Sequence, residues 1–147
     1  MKIELKISHP DFLQDLQISE VLKAYELCLK SVKMYEFFYK EFKNELFFRL
    51  WQERLILNDL FNYEYEFVFE ASLEEAYILA LAQELKIVYE CKKASLLCKN
   101  SECKDLIFRL WASSVNESQK ALKEGLVGLN EPNINSFINT LLKDIIK

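Results

Sequence analysis

The chain predicts an all-α fold, and three observations carry that expectation. Only two glycines and two prolines occur in 147 residues, where average usage would supply roughly ten and seven, and breakers this scarce favour long uninterrupted helices. Apolar residues recur at three- and four-residue steps over most of the length, as amphipathic helices require. The tetrapeptide Phe-Arg-Leu-Trp stands at both 48–51 and 108–111, which suggests a duplicated helical hairpin. With 51% hydrophobic and 29% charged residues, the composition is globular, and the length suits a single domain over 1–147 with a proper core.

The elements follow in order. Ser19 is placed to cap a first helix reaching about Phe42, with Ala24, Cys28, Val32 and Tyr35 on its inward stripe. Asn44 punctuates it. A second helix from Glu45 to about Leu60 sets Phe47, Leu50, Arg54, Leu57 and Phe61 in line, so an arginine interrupts an apolar row. From Phe61 to Phe69 the period changes to two, because Phe61, Tyr63, Tyr65, Phe67 and Phe69 alternate with Asn62, Glu64, Glu66 and Val68. Roughly ten extended residues span about 33 Å, the length of a helix of some 22 residues. This crossover, 61–70, is therefore long enough to carry the chain from one end of a bundle to the other and start the next helix parallel to the second. The N-terminal alternation Ile3, Leu5, Ile7 offers it a strand to pair with.

Ser72 and Glu75 form a capping box for a third helix reaching about Leu97, one face of which reads Tyr77, Leu81, Glu84, Val88 and Cys91. A polar turn at Lys99 to Glu102 leads into a fourth helix ending near Gly125, with Ile107, Leu110, Ser114, Glu117 and Ala121 on one stripe. The four helices make a bundle over 19–124. Beyond Pro132, residues 130–147 place Ile134, Phe137, Ile138, Leu141, Leu142, Ile145 and Ile146 on one side of a fifth, amphipathic helix. Docking on the bundle is its expected role, ahead of a partner-binding helix or a membrane anchor, for which its charged face is too sparse, with a dimer contact as a further alternative.

The net charge of −4, with both signs mixed along the chain, provides no basic stripe for phosphates, so nucleic acid is not an expected partner. With six charged residues in the first twenty, Lys2, Glu4, Lys6, Asp11, Asp15 and Glu20, no apolar signal-peptide segment is expected there, and no uncharged run approaches a membrane span. A cytoplasmic location is expected. Cys28, Cys91, Cys98 and Cys103 give neither a CxxC pair nor zinc-like spacing and are expected to be reduced thiols. On one helix Cys91 and Cys98 would lie roughly 10 Å apart, beyond a disulfide's reach, which leaves Cys98 with Cys103 as the pair able to close one across a turn. Cys28, on an inward stripe, reads as a small core residue rather than a redox thiol. His9 is the single histidine and precedes Pro10 outside the helices, so a nucleophile–histidine catalytic set is not expected.

Over about residues 20–124 the pattern resembles the ferritin-like, rubrerythrin-type bundles. In that family each helix pair carries Ala-x-x-x-Glu with an aromatic seven residues on, then Phe-x-x-Leu-x-x-x-Glu-x-x-His. The first half here reads Ala24, Cys28, Tyr35, then Phe47, Leu50, Arg54, Leu57; the second reads Ala80, Glu84, Cys91, then Ile107, Leu110, Ser114, Glu117. The resemblance implies two helical hairpins joined by a long crossover, and an inward pair of iron or manganese ions held by carboxylates and histidines. Of its six ligand positions Glu84 is kept, Glu117 puts a carboxylate where the family has histidine, and Cys28, Arg54, Leu57 and Ser114 fill the rest.

Two carboxylates and a thiol opposed by a guanidinium make a poor site for hard cations, so no cofactor is expected. If Arg54, Glu84 and Glu117 share a layer, the guanidinium can stand where relatives hold metal, its planar fork donating to both carboxylates. The other reading has Arg54 snorkelling to the bundle end and both glutamates facing water. The leading functional expectation is a non-catalytic structural or interaction protein, either a homodimer or bound to a protein partner, with Tyr63, Tyr65, Phe67, Phe137 and Leu141 as contact candidates. The alternatives are an iron- or manganese-binding oxidoreductase or iron-handling protein, using Glu84, Glu117 and other carboxylates such as Glu26, Glu53 or Asp59 in a shifted register, and a helical adaptor or chaperone.

Overall fold

The chain is mostly helical with one small sheet, in a computed structural model that describes residues 1–6, 10–70 and 72–129. The expected helix at 130–147, with Phe137 and Leu141, lies outside the described residues, as do Ile7 and His9.

Two strands, β1 (Lys2–Leu5) and β2 (Phe61–Glu64), pair antiparallel with Leu5 opposite Phe61 and Ile3 opposite Tyr63. A short helix α1 (Pro10–Asp15), not anticipated from the sequence, follows β1 and buries Phe12 against Tyr25 and Phe61. Helix α2 (Ser19–Phe42) begins one residue earlier than expected. Ile18 holds the cap position without a side-chain hydrogen bond, and Ser19 is already helical, because the turn from α1 delivers Ile18 in extended conformation with its N–H on the Asp15 carbonyl.

Asn44 caps α3 (Glu45–Leu57), its side chain accepting from the N–H groups of Leu46 and Phe47. This satisfies donors that a helix start leaves orphaned. The helix stops at Leu57 rather than Leu60, since Phe61 is drawn into the β ladder. From 61 to 70 alternate residues turn toward and away from the protein, as a period of two requires. Phe67 packs edge-on against Phe37 and Phe38 of α2.

The expected capping box is present at α4 (Leu73–Leu97): Ser72 Oγ accepts from the Glu75 N–H and Glu75 returns the bond. Helix α5 (Ser101–Ser113) passes through a π-helical turn at Ser114–Ser118 into α6 (Gln119–Gly128). This last helix overruns the expected stop at Gly125. A side-chain Cβ at Gly125 would stand 2.7 Å from Tyr77 Cε1, so glycine is there for close packing and not to end the helix.

The contacts fix the helix directions. Lys23 meets Glu90 and Tyr35 meets Glu84, so α2 and α4 are antiparallel. Phe47 stacks on Tyr77 and Arg54 meets Glu84, so α3 and α4 are parallel. Buried apolar residues form two clusters. One gathers Tyr25, Cys28 and Leu29 with Ile87, Cys91 and Leu110. The other gathers Tyr35, Phe38 and Phe47 with Tyr77, Leu81 and Leu122.

The repeated tetrapeptide has the same burial pattern twice. Leu50 and Leu110 are buried and Phe48 and Phe108 are exposed, and each phenylalanine ring lies 6.0 Å from the tryptophan three residues on, edge-on in the first copy and stacked in the second. Among the described residues no helix is long and apolar enough to cross a membrane.

Candidate functional site

Between the two apolar clusters lies a buried polar layer centred on Arg54 of α3. The side chains of Arg54 and Glu84 are 1% and 0% exposed. Arg54 donates from Nη2 to Glu84 Oε1 at 2.6 Å and from Nη1 to Oε2 at 3.1 Å, the two-pronged geometry that a planar guanidinium imposes on a carboxylate. Its remaining terminal donors reach Ser31 Oγ of α2 at 2.9 Å and Ser118 Oγ of the π-turn at 3.3 Å. All four Nη hydrogens therefore have acceptors.

Glu84 receives a third bond from Tyr35 Oη at 2.8 Å. Ser114 Oγ donates to the Glu84 backbone carbonyl and accepts from Gln119 Nε2, both at 3.3 Å. The site thus draws on α2, α3, α4 and the π-turn with α6. Burial works against the charged guanidinium, but the adjoining Glu84 carboxylate more than offsets it and Arg54 is held even more firmly protonated than usual. Burial first, and Glu84 second, hold the Tyr35 phenol well above the ordinary range.

The structure places the six expected layer positions unequally. Arg54, Glu84 and Ser114 meet in it. Cys28 is buried beside it, one turn before Ser31, whose hydroxyl donates to the Cys28 carbonyl. The Cys91 thiol is held well above its usual range by a hydrogen bond to Cys28 and by burial, which suits core residues better than reactive thiols. Leu57 is half-buried against the first cluster.

Glu117 does not join: it is exposed, contrary to the inward stripe expected for it. The cause is the π-turn, whose extra residue sends Gln119 N–H back to the Ser114 carbonyl and rotates everything beyond. Ser118 takes the inward place instead. Glu117 lies beside Glu53, whose carboxyl is raised by partial burial and then by Glu117, at a groove of about 410 Å³ that Ile56, Leu57, Arg109 and Ala112 also line.

Of the other carboxylates considered, Asp59 is exposed and pairs with Lys6, and Glu26 is half-buried on α2. Tyr63 and Tyr65 lie half-buried under Lys33 and Lys30 of α2, and Phe67 is packed on the same helix, so the aromatic crossover seals the bundle rather than standing free. Sequence reasoning missed Ser31, Ser118 and Gln119. Ser31 was findable, because it shares the inward stripe with Cys28 and Tyr35; Ser118 was not, because it turns inward only through the π-turn. Compared with protein-family models, curated proteins and solved structures, the chain matches none.

Proposed function

We propose that the chain is a non-catalytic structural or protein-interaction module on a ferritin-like bundle, in which a guanidinium has replaced the metal pair. The observation that carries this reading is the Arg54 layer. A hard divalent cation needs several oxygen or imidazole ligands, and here Glu84 offers its carboxylate to a buried cation that already engages both oxygens. The parallel course of α3 and α4 across a long extended link supports the ferritin-like arrangement, since a simple up-and-down bundle would reverse direction there. The matched burial of the two Phe-Arg-Leu-Trp segments supports a duplicated hairpin. An interaction role is favoured by exposed apolar side chains on α3 and α5, namely Phe48, Leu55, Ile56 and Phe108.

The competing oxidoreductase reading puts Glu84 and Glu117, with further carboxylates, on one metal centre, and against it Glu84 is buried while the π-turn leaves Glu117 exposed. Metal content per chain, measured by mass spectrometry on protein purified without chelator and again after anaerobic ferrous iron, tests the proposal. The expected result is the same iron and manganese content in the parent and in Glu84→Ala. Near-stoichiometric iron or manganese that disappears with Glu84→Ala would overturn it and make redox chemistry the leading function.

A further inference from the structure

A second buried polar cluster sits where α1 meets the turn between α4 and α5. Asp15, the last residue of α1, is 1% exposed. Its carboxylate accepts the Lys99 N–H at 3.1 Å to each oxygen and the Asn100 N–H at 2.8 Å. Cys98 follows α4, and Cys103 lies in the first turn of α5; their sulfurs are 3.4 Å apart. A carboxylate oxygen of Asp15 and the two sulfurs all lie within 4.8 Å of one another. From α2, Tyr25 Oη donates to the Cys103 carbonyl at 3.1 Å and stands 3.4 Å from its sulfur.

We propose that Asp15, Cys98 and Cys103 bind a soft divalent transition metal of the zinc class through two thiolates and one carboxylate oxygen. Distances decide between this and a disulfide. With metal–sulfur bonds of about 2.3 Å, two thiolates on a tetrahedral ion stand about 3.8 Å apart, a few tenths of an ångström wider than observed. A disulfide needs about 2.05 Å, so the sulfurs would have to close by about 1.4 Å. A disulfide also makes no use of the buried carboxylate, whereas a cation does.

The surroundings are those of a metal site whose ligands are oriented from outside. Backbone N–H groups at the head of α5 fix Asp15, and the Tyr25 hydroxyl fixes Cys103. Contrary to the expectation of no zinc-like spacing, Cys98 and Cys103 have Cys-x4-Cys spacing, at the edge of the range zinc sites use, and the third ligand comes from a helix far away in sequence. On binding, each thiol gives its proton to solvent, so one M²⁺ replaces two H⁺ and the carboxylate keeps its charge. Three protein ligands leave a fourth position for water. This site is independent of the Arg54 layer, which concerns hard metals and shares none of its residues.

The test is an anaerobic cobalt(II) titration of the full chain in a non-thiol reductant, followed by near-ultraviolet thiolate-to-cobalt absorption and then by zinc displacement. The expected result is one cobalt per chain, a charge-transfer band that zinc abolishes, and a rise in thermal midpoint with zinc. Cys98→Ser and Cys103→Ser should each lose the full band, Asp15→Asn should bind cobalt at least about tenfold more weakly, and the double variant C28S/C91S should keep the parent's band. Because Asp15 also caps the α4–α5 turn, Cys98→Ser serves if Asp15→Asn fails to fold. No band in the reduced parent, a band surviving in both single cysteine variants, or a band lost in a folded C28S/C91S protein would overturn the proposal. So would closure of a Cys98–Cys103 disulfide on oxidation in a chain that takes up no cobalt when reduced.

Discussion

Arg54 and Glu84 hold each other in the core, since either alone would be a buried charge without a counter-ion. Removing one partner of such a pair typically costs about 3–5 kcal/mol, whereas replacing both with apolar residues of similar size is often close to neutral. Glu84→Gln should therefore destabilise the protein by about 3–5 kcal/mol in urea unfolding, and the double variant R54M/E84M should recover most of that loss. Equal destabilisation in both would mean that the layer is structural in some way other than charge pairing. At this scale the sequence was informative about the charged pair, because an arginine and a glutamate each interrupt an apolar row. It placed Ser31 on the inward stripe with Cys28 and Tyr35 but was silent about Ser118, which acquires its role only through the π-turn and a guanidinium arriving from another helix.

At the scale of elements, most boundaries follow from caps. Asn44 opens α3 and the Ser72–Glu75 box opens α4, and both are local chemistry that a sequence displays. The end of the last helix does not follow from such rules. Gly125 reads as a stop signal, yet α6 continues because Tyr77 presses against that position and the helix gains packing by going on. Gly125→Ala should destabilise by about 1–3 kcal/mol through overpacking, while Gly128→Ala, where a Cβ meets nothing within 4 Å, should leave stability the same or slightly higher. Chemical denaturation of the two variants side by side checks this, and equal effects would remove Tyr77 as the cause. The π-turn is the other element the sequence hid: an inserted residue changes which side faces inward without changing composition.

For the molecule as a whole, alkaline pH probes how tightly the layers are sealed. Burial and Glu84 hold the Tyr35 phenol up, and burial with Glu36 pushes Tyr63 up to about 12. In the unfolded chain phenols ionise near about 10. A folded pKa above the unfolded one means that the stabilisation is complete below about pH 10 and declines as pH rises above it, over a window that reaches about 12 for Tyr63. The unfolding midpoint should fall over that window, and Tyr35→Phe, which has no proton to lose, should show a shallower fall. An identical slope in the variant would show that Tyr35 is not sealed in the native state.

The sequence by itself determined the helical class, the place where the period switches from helix to extended crossover, the capped helix starts and the two charges on apolar rows. Each of these is a local pattern of side chains along one segment, governed by backbone periodicity and by hydrogen bonds between near neighbours. Tertiary structure decided which charge meets which. Arg54 found Glu84 and not Glu117, because the π-turn between Ser114 and Ser118 rotates α6 by one residue. Asp15 came to face Cys98 and Cys103 only through the docking of α1 on the α4–α5 turn. Such meetings depend on the summed packing of several helices, and a shift of one residue in any of them, invisible in a linear pattern, exchanges a buried ligand for an exposed one.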